Sequence, residues 1–351
     1  NYPIFLAIGP LVAALSAGNR AMIKMSEFTP NLNQVFKAMI AEVFDENRVC
    51  VIEGEADAAI AFTEQPFDHI LFTGSTAVGR FVMAAAAKNL TPVTLELGGK
   101  SPTIVSDNIP MKDAAERICF GKSMNAGQTC VAPDYILVPK AKEEAFIQAY
   151  IAAFSKMYPT LKDNGDYTAI VNDRQYQRLS SWINDAKDKG AKLTKINPAN
   201  EDLSAGRKLA PVIVQNMKNN MTIAEEELFG PILPIIPYES MDEAIAYIND
   251  RPRPLALYFF GYDKNEQDHV LNNTHSGGVS VNDTLMHLAQ EDMPFGGIGD
   301  SGMGHYHGKE GFITFSKAKA VHRKGRISTG SLAHPPYDNS IRKMIYTFFI
   351  R

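Results

Sequence analysis

The 351 residues include only one tryptophan, three cysteines and eight histidines. An odd set of cysteines (Cys50, Cys119, Cys130) in a long chain cannot form a disulfide framework and fits a reducing cytoplasm. No histidine lies between residues 70 and 268, so no His/Cys cluster with zinc spacing exists, and no metal is expected. His305-Tyr-His307 is the closest histidine pair and reads as a loop feature. Neither sign of charge dominates: 35 Lys and Arg face 39 Asp and Glu, a net charge of −4, which leaves no basic footprint for nucleic acid. Repeats and low-complexity tracts are absent. What remains is ordinary globular composition, 45% hydrophobic and 21% charged, with length for about two cores.

Residues 1–19 carry no charged side chain and end in Ser16-Ala17-Gly18-Asn19, which mimics a signal-peptide cleavage site. There is no starting Met and no basic n-region, and Pro3 and Gly9-Pro10 interrupt any membrane-spanning helix. A buried strand–turn–helix is expected instead, with no membrane span. The abrupt start at Asn1 implies that an N-terminal portion is missing.

Through residue 97, short apolar runs alternate with helical spacing. Strands are expected at 21–24, 49–52, 69–72 and 92–97, and helices at 32–43, 56–62 and 77–87. Such alternation predicts a parallel sheet covered on both faces, with ligands beyond the carboxyl ends of the strands. A second region follows Gly98-Gly99. Its helices are expected at 111–124, 142–158, 173–189 and 241–249, and its strands at 103–105, 212–214, 233–236 and 257–260. Residues 197–208 read as a polar surface loop, and the glycine-dense stretch from Pro294 to Gly311 as loop.

Four features could carry chemistry. Glu96 closes a strand just before Gly98-Gly99, a place for a general base or for a surface pair with Lys100. Cys130 follows a glycine turn in Asn125-Ala-Gly-Gln-Thr-Cys130. It is either an accessible nucleophile or a plain loop thiol, whereas Cys50 and Cys119 sit in apolar patterns as core residues. Gly74-Ser-Thr-Ala-Val-Gly79 joins a strand to a helix, where backbone N–H groups and the helix dipole attract phosphate; a Ser-capped helix is the alternative. Lys24 and Glu27 can hold ribose hydroxyls or form a solvated ion pair.

Taken together, these features resemble the aldehyde dehydrogenase superfamily from Asn1 to about Arg323. The matching blocks run in family order: Asn1-Tyr-Pro3, Gly18-Asn19 with Lys24-Met-Ser-Glu27, Phe72-Thr-Gly-Ser75 through Gly79, Leu95-Glu-Leu-Gly-Gly-Lys-Ser-Pro102, Gly127-Gln-Thr-Cys130, Glu226-Glu-Leu-Phe-Gly-Pro231 and Pro294-Phe-Gly-Gly297. The interval of 130 − 96 = 34 residues from Glu96 to Cys130 is similar too. Met25 departs from the pattern, which commonly has proline there.

The resemblance implies an α/β fold, a Rossmann-type parallel-sheet cofactor domain plus an α/β catalytic domain. The expected division is 1–97 for the cofactor domain, 98–300 for the catalytic domain, and 301–351 as a return to the cofactor domain with a C-terminal tail. Cys130 would be the nucleophile, Glu96 the general base, and the Asn1 amide an oxyanion ligand. Lys24, Glu27, Gly74, Ser75, Gly79, Leu97, Glu227 and Phe229 would bind NAD, with NADP possible. The partners implied are a small-molecule aldehyde and a second copy of the chain, a dimer being favoured. From Val281 to Gly308 the sequence is similar to the class 3-like branch, most of all to coniferyl aldehyde dehydrogenases, so aromatic or medium-chain aliphatic aldehydes are expected. A coenzyme A-acylating relative, a cysteine hydrolase without nicotinamide and a non-catalytic relative are the competing readings. The hydrolase needs a histidine near Cys130, and a non-catalytic relative should have lost Cys130 or Glu96.

Overall fold

The computed structural model describes residues 1–327, 330 and 334–350. The chain forms two compact units, Asn1–Phe315 and Ser316–Arg351. The first opens with α1 (Pro3–Ser16), β1 (Ala21–Lys24), α2 (Pro30–Val43), β2 (Val49–Ile52), α3 (Ala56–Thr63), β3 (Ile70–Thr73), α4 (Thr76–Ala87) and β4 (Val93–Glu96). Next come β5 (Pro102–Val105), α5 (Met111–Ser123), β6 (Tyr135–Pro139), α6 (Glu143–Met157), α7 (Asp173–Asp188), β7 (Lys192–Lys195), β8 (Val212–Gln215) and α8 (Thr222–Glu225). The unit ends with β9 (Ile232–Tyr238), α9 (Met241–Asn249), β10 (Ala256–Phe260), α10 (Lys264–Asn273), β11 (Gly278–Val281), β12 (Gly302–Met303) and α11 (Gly308–Thr314).

The expected strand–turn–helix at residues 1–19 is instead one helix, α1, running through Pro10. Pro3 occupies its first turn, where no N–H is needed. Pro10 forfeits one backbone bond, but the residue before it is Gly9, which has no Cβ for the proline ring to strike. Leu11, Ala13 and Ala14 bury the helix on the first unit. Among the described residues no helix is long and apolar enough to cross a membrane.

The alternating segment contributes two parallel pairs, β1 with β2 and β3 with β4. They belong to separate ladders rather than to one sheet. β12 returns to β4 antiparallel and extends its ladder to the order β12-β4-β3. The large sheet runs β11-β10-β5-β6-β9-β8-β7 and is parallel except at its β7 edge. Its central strands are buried on both faces, which explains their unbroken apolar runs, Tyr135-Ile-Leu-Val138 and Ala256-Leu-Tyr-Phe-Phe260. The main core joins this sheet to α5, α6 and α7.

In the second unit, α12 (Ser340–Phe349) is capped by Asn339, whose side chain accepts from the Arg342 N–H at 2.9 Å. The Arg342 guanidinium lies over Tyr337, with Tyr346 beyond.

Candidate active site

Glu96 is the last residue of β4, and its backbone is held from two sides. Gly302 of β12 lies opposite it, and the Gly74 N–H donates to its carbonyl at 3.0 Å. The turn after β3 is therefore tied to the end of β4. The Glu96 side chain is buried, and among the described residues neither carboxylate oxygen has a hydrogen-bond partner. Burial alone raises its pKa well above the usual carboxylate range. Lys100, weighed as its surface partner, bonds elsewhere.

Cys130 is aimed by an unusual turn. After α5, Asn125, Ala126 and Gly127 take positive φ of 51°, 52° and 75°. Non-glycine residues pay about 1–3 kcal/mol each for such backbone, so the surroundings must impose it. Gln128 does much of that. Its amide donates to Asn125 O at 3.0 Å and Ala169 O at 3.1 Å, and its oxygen accepts from Val171 N–H at 2.9 Å. At Gly127 any Cβ would lie 2.5 Å from the Gly230 carbonyl. The fragment carrying Cys130 is thus pressed against the Glu226–Pro231 segment.

Burial pushes the Cys130 thiol up to about 12, with the Glu227 and Glu96 carboxylates adding to the shift. The backbone N–H groups of Cys130 and Val131 act in the opposite direction, since they can donate to a thiolate. The α-amino group of Asn1, rather than its side-chain amide, is the group that acts on the same sulfur. Tyr2 fixes the neighbouring loop, its hydroxyl 3.1 Å from Thr129 Oγ1. Tyr258 donates to Val131 O at 2.5 Å from below.

Glu227 reaches the same place from the other side. Its carboxylate covers Gly98 and accepts from the Gly99 N–H. Burial first, and then Asp134, raise it to about 8. A buried staple positions its segment: Lys100 Nζ bonds Asp134 Oδ1 at 2.5 Å and donates to the carbonyls of Ile223 and Glu226. Asp134 Oδ2 accepts from Leu228 N–H at 2.8 Å, and Arg178 donates to Leu228 O at 2.9 Å. Phe229 follows with φ of 44°, which turns the chain at the end of this segment.

The other sequence-predicted residues fall on two strand–helix junctions. Ser75 caps α4 by accepting from Val78 N–H at 3.4 Å. Leu97 lies beneath Gly79, where a Cβ would meet its side chain at 2.7 Å, so α4 can approach β4 closely. Lys24 and Glu27 form an ion pair of 3.4 Å after β1, with Lys24 largely covered.

Sequence reasoning missed Tyr2, Asp134, Arg178 and the buried Lys122. Burial lowers the Lys122 ammonium to about 8, Asp134 opposing the shift. Of these, only Asp134 carried a sequence signal, as a charge inside an apolar run.

Residues 1–321 match the model of the aldehyde dehydrogenase family. The chain is 57% identical over 351 residues to a probable coniferyl aldehyde dehydrogenase of Pseudomonas aeruginosa, covering 100% of this chain and 73% of that one. Among solved structures, the substrate-bound state of Staphylococcus aureus AldH superposes with a TM-score of 0.91 at 45% identity, over 99% of this chain and 75% of that one. A Mycobacterium tuberculosis aldehyde dehydrogenase complexed with NAD+ gives 0.85 at 32% identity, over 93% and 68%. The chain belongs to the aldehyde dehydrogenase family, and it is an NAD(P)-dependent oxidoreductase that converts an aldehyde to the carboxylic acid.

Proposed function

We propose that the chain oxidises aromatic aldehydes of the coniferaldehyde type, with medium-chain aliphatic aldehydes as further substrates, through a thioester on Cys130. The observation that carries the chemistry is the pairing of a buried, partnerless Glu96 carboxyl with the Cys130 thiol on which it acts. The name of the P. aeruginosa relative supports the substrate class. So does the apolar cluster that Cys130 shares with Val131, Leu285, Leu288 and Phe295. An apolar wall gains about 0.8 kcal/mol per buried methylene, which favours hydrophobic aldehydes over acetaldehyde.

The residues present fit a nicotinamide dinucleotide. Lys24 and Glu27 offer a donor and an acceptor to ribose hydroxyls. The Ser75-capped start of α4 offers N–H groups to phosphate. Glu227, which accepts from the Gly99 N–H, keeps acceptor capacity for a second ribose. Gly74, Gly79 and Leu97 keep the ends of β3 and β4 close enough to serve one ligand. When bound, the cofactor supplies the hydride acceptor.

The chain's own groups do the rest. The Cys130 sulfur adds to the aldehyde carbon, and the thiol proton passes to the Glu96 or Glu227 carboxylate, which returns it to solvent before the thioester is hydrolysed. The oxyanion is met by the Cys130 N–H and the Asn1 amide. Once hydride has left, a thioester remains. Glu96, kept free of internal partners, takes a proton from water, and the acid is released. Water rather than coenzyme A as the acceptor follows from that base. Phe229, two residues beyond Glu227, turns the chain with φ of 44° and is assigned the aromatic contact to the nicotinamide. The division into a cofactor domain over 1–97, a catalytic domain over 98–300 and a returning segment over 301–351 belongs to the same proposal, as do a homodimer and a cytoplasmic location.

The test compares kcat/KM for coniferaldehyde, benzaldehyde, hexanal and acetaldehyde, following NADH with and without coenzyme A. Coniferaldehyde should lead, and coenzyme A should change nothing. Acetaldehyde as the best substrate sinks the substrate class. A requirement for coenzyme A sinks the hydrolytic route.

A further inference from the structure

β10 reads Ala256-Leu-Tyr-Phe-Phe260, and Tyr258 carries its one hydroxyl. The side chain is fully buried, and its two successors in the strand are phenylalanines. Packing alone needs only the ring, yet the oxygen is used twice. It donates to Val131 O at 2.5 Å and accepts from the Leu285 N–H at 3.3 Å. A phenol gives one hydrogen and can accept another, so both bonds coexist. Val131 directly follows Cys130. The two are the central residues of a turn that the Ala132 N–H closes on Thr129 O at 2.9 Å. Tyr2 reaches the Thr129 side chain, whereas Tyr258 bonds the backbone of the turn itself. On the other side, Leu285 has a φ of 66°, a strained value for a residue with a side chain. Its carbonyl accepts from the Leu288 N–H at 2.9 Å, so the Tyr258 bond anchors the start of that short loop. His287 of the same loop stands edge-on to the Tyr258 ring at 5.8 Å. Leu285 and Leu288 share one apolar cluster with Cys130 and Val131.

We propose that Tyr258 is a positioning residue for Cys130: its hydroxyl fixes the turn that aims the sulfur and couples that turn to the Leu285–Leu288 wall. The inference rests on the reading of Cys130 as the nucleophile and adds the group that holds it. Clamping the Val131 carbonyl fixes the orientation of that residue, whose own N–H acts on the sulfur together with the Cys130 N–H. A reacting group displaced by about 1 Å can lose about a hundredfold in rate. With phenylalanine at 258, Val131 O loses its buried donor and Leu285 N–H its acceptor. The turn and the wall then lose their common anchor, so nucleophile reactivity and the choice between aldehydes change together.

The experiment compares Tyr258→Phe with Tyr238→Phe. Tyr238 is a matched control: it is buried in a separate core cluster, and its hydroxyl donates to Val105 O at 2.8 Å. Each variant loses one buried bond from a hydroxyl to a carbonyl. The first readout is the rate of Cys130 alkylation by iodoacetamide near neutral pH, followed on the Cys130 peptide by mass spectrometry. The second is the ratio of kcat/KM for hexanal and acetaldehyde. Tyr258→Phe should slow alkylation about fivefold or more, as the thiolate loses its aligned N–H donors. It should also narrow the aldehyde ratio and leave NAD affinity unchanged. Tyr238→Phe should alter none of these. Alkylation as fast as in the control, or an unchanged aldehyde ratio, overturns the proposal. In the unaltered enzyme, alkylating Cys130 should change hydrogen exchange at the Leu285 amide. No change there overturns the coupling even if Tyr258→Phe fails to fold. Cys130→Ala run in parallel separates the two ideas: turnover surviving in that variant means that the nucleophile reading itself has failed.

Discussion

The carboxylate of Glu227 occupies the space that a side chain at Gly98 would need. Two residues 129 positions apart in the chain, 227 − 98 = 129, therefore share one small volume beside Glu96. Gly98→Ala should force Glu227 aside. Overpacking of this kind costs about 1–3 kcal/mol. Thermal midpoints of Gly98→Ala, Glu227→Ala and the double variant check it. The double variant should be more stable than the sum of the single effects predicts, and additivity would show that the two positions are independent.

Cys130→Ala should abolish aldehyde oxidation while NAD binding persists. The sulfur is the nucleophile proposed, and removing it leaves the Lys24–Glu27 pair and the α4 cap untouched. Cofactor titration by fluorescence together with an NADH assay checks both halves. Near-native turnover in the variant would falsify the assignment.

Glu96→Gln should slow deacylation more than acylation, because a carboxamide keeps the shape but cannot accept the water proton. A burst of NADH followed by a slow phase is the expected trace. In the unaltered enzyme, the acid limb of deacylation should lie well above the ordinary carboxylate range, since burial holds Glu96 protonated. A limb near the ordinary value, or a burst slowed as much as the steady state, counts against it.

Glu227 makes stability depend on pH in the direction opposite to a salt-bridged acid. Burial raises its folded pKa from the ordinary 4.5 to about 8. The folded chain thus holds its proton more tightly than the unfolded one. The stabilisation is fully present below the unfolded value and is lost as pH rises through the folded one. Glu227→Gln should match the unaltered protein near pH 5 and exceed its unfolding midpoint near pH 9. Parallel melting curves at both pH values check this, and a constant difference would refute it.

NAD should be preferred to NADP. Glu27 is more exposed than Lys24 and carries the charge that would repel a 2′-phosphate. Glu27→Gln should narrow the ratio of kcat/KM for the two cofactors, Lys24 being available to a phosphate. An unchanged ratio removes Glu27 from the discrimination.

The sequence alone determined the strand–helix order from residue 21 to residue 97, because periods of 2 and 3.6 are local properties. It also placed Glu96 at a strand end and Cys130 beyond a glycine turn. Elements whose patterns are weak escaped it. α10 reads Lys-Asn-Glu-Gln-Asp-His-Val-Leu-Asn-Asn and buries only Val270. β7 reads Lys-Leu-Thr-Lys and is an exposed edge. Pro10 was read as a break, since the effect of Gly9 before it depends on the backbone of both residues. Only the tertiary structure decided which charges meet. Lys100 could have paired with Glu96 four residues away, yet it bonds Asp134, whose second oxygen holds Leu228. That choice leaves Glu96 buried and unpaired, which is what raises its pKa. A carboxyl's protonation depends on burial and on neighbours brought from distant parts of the chain.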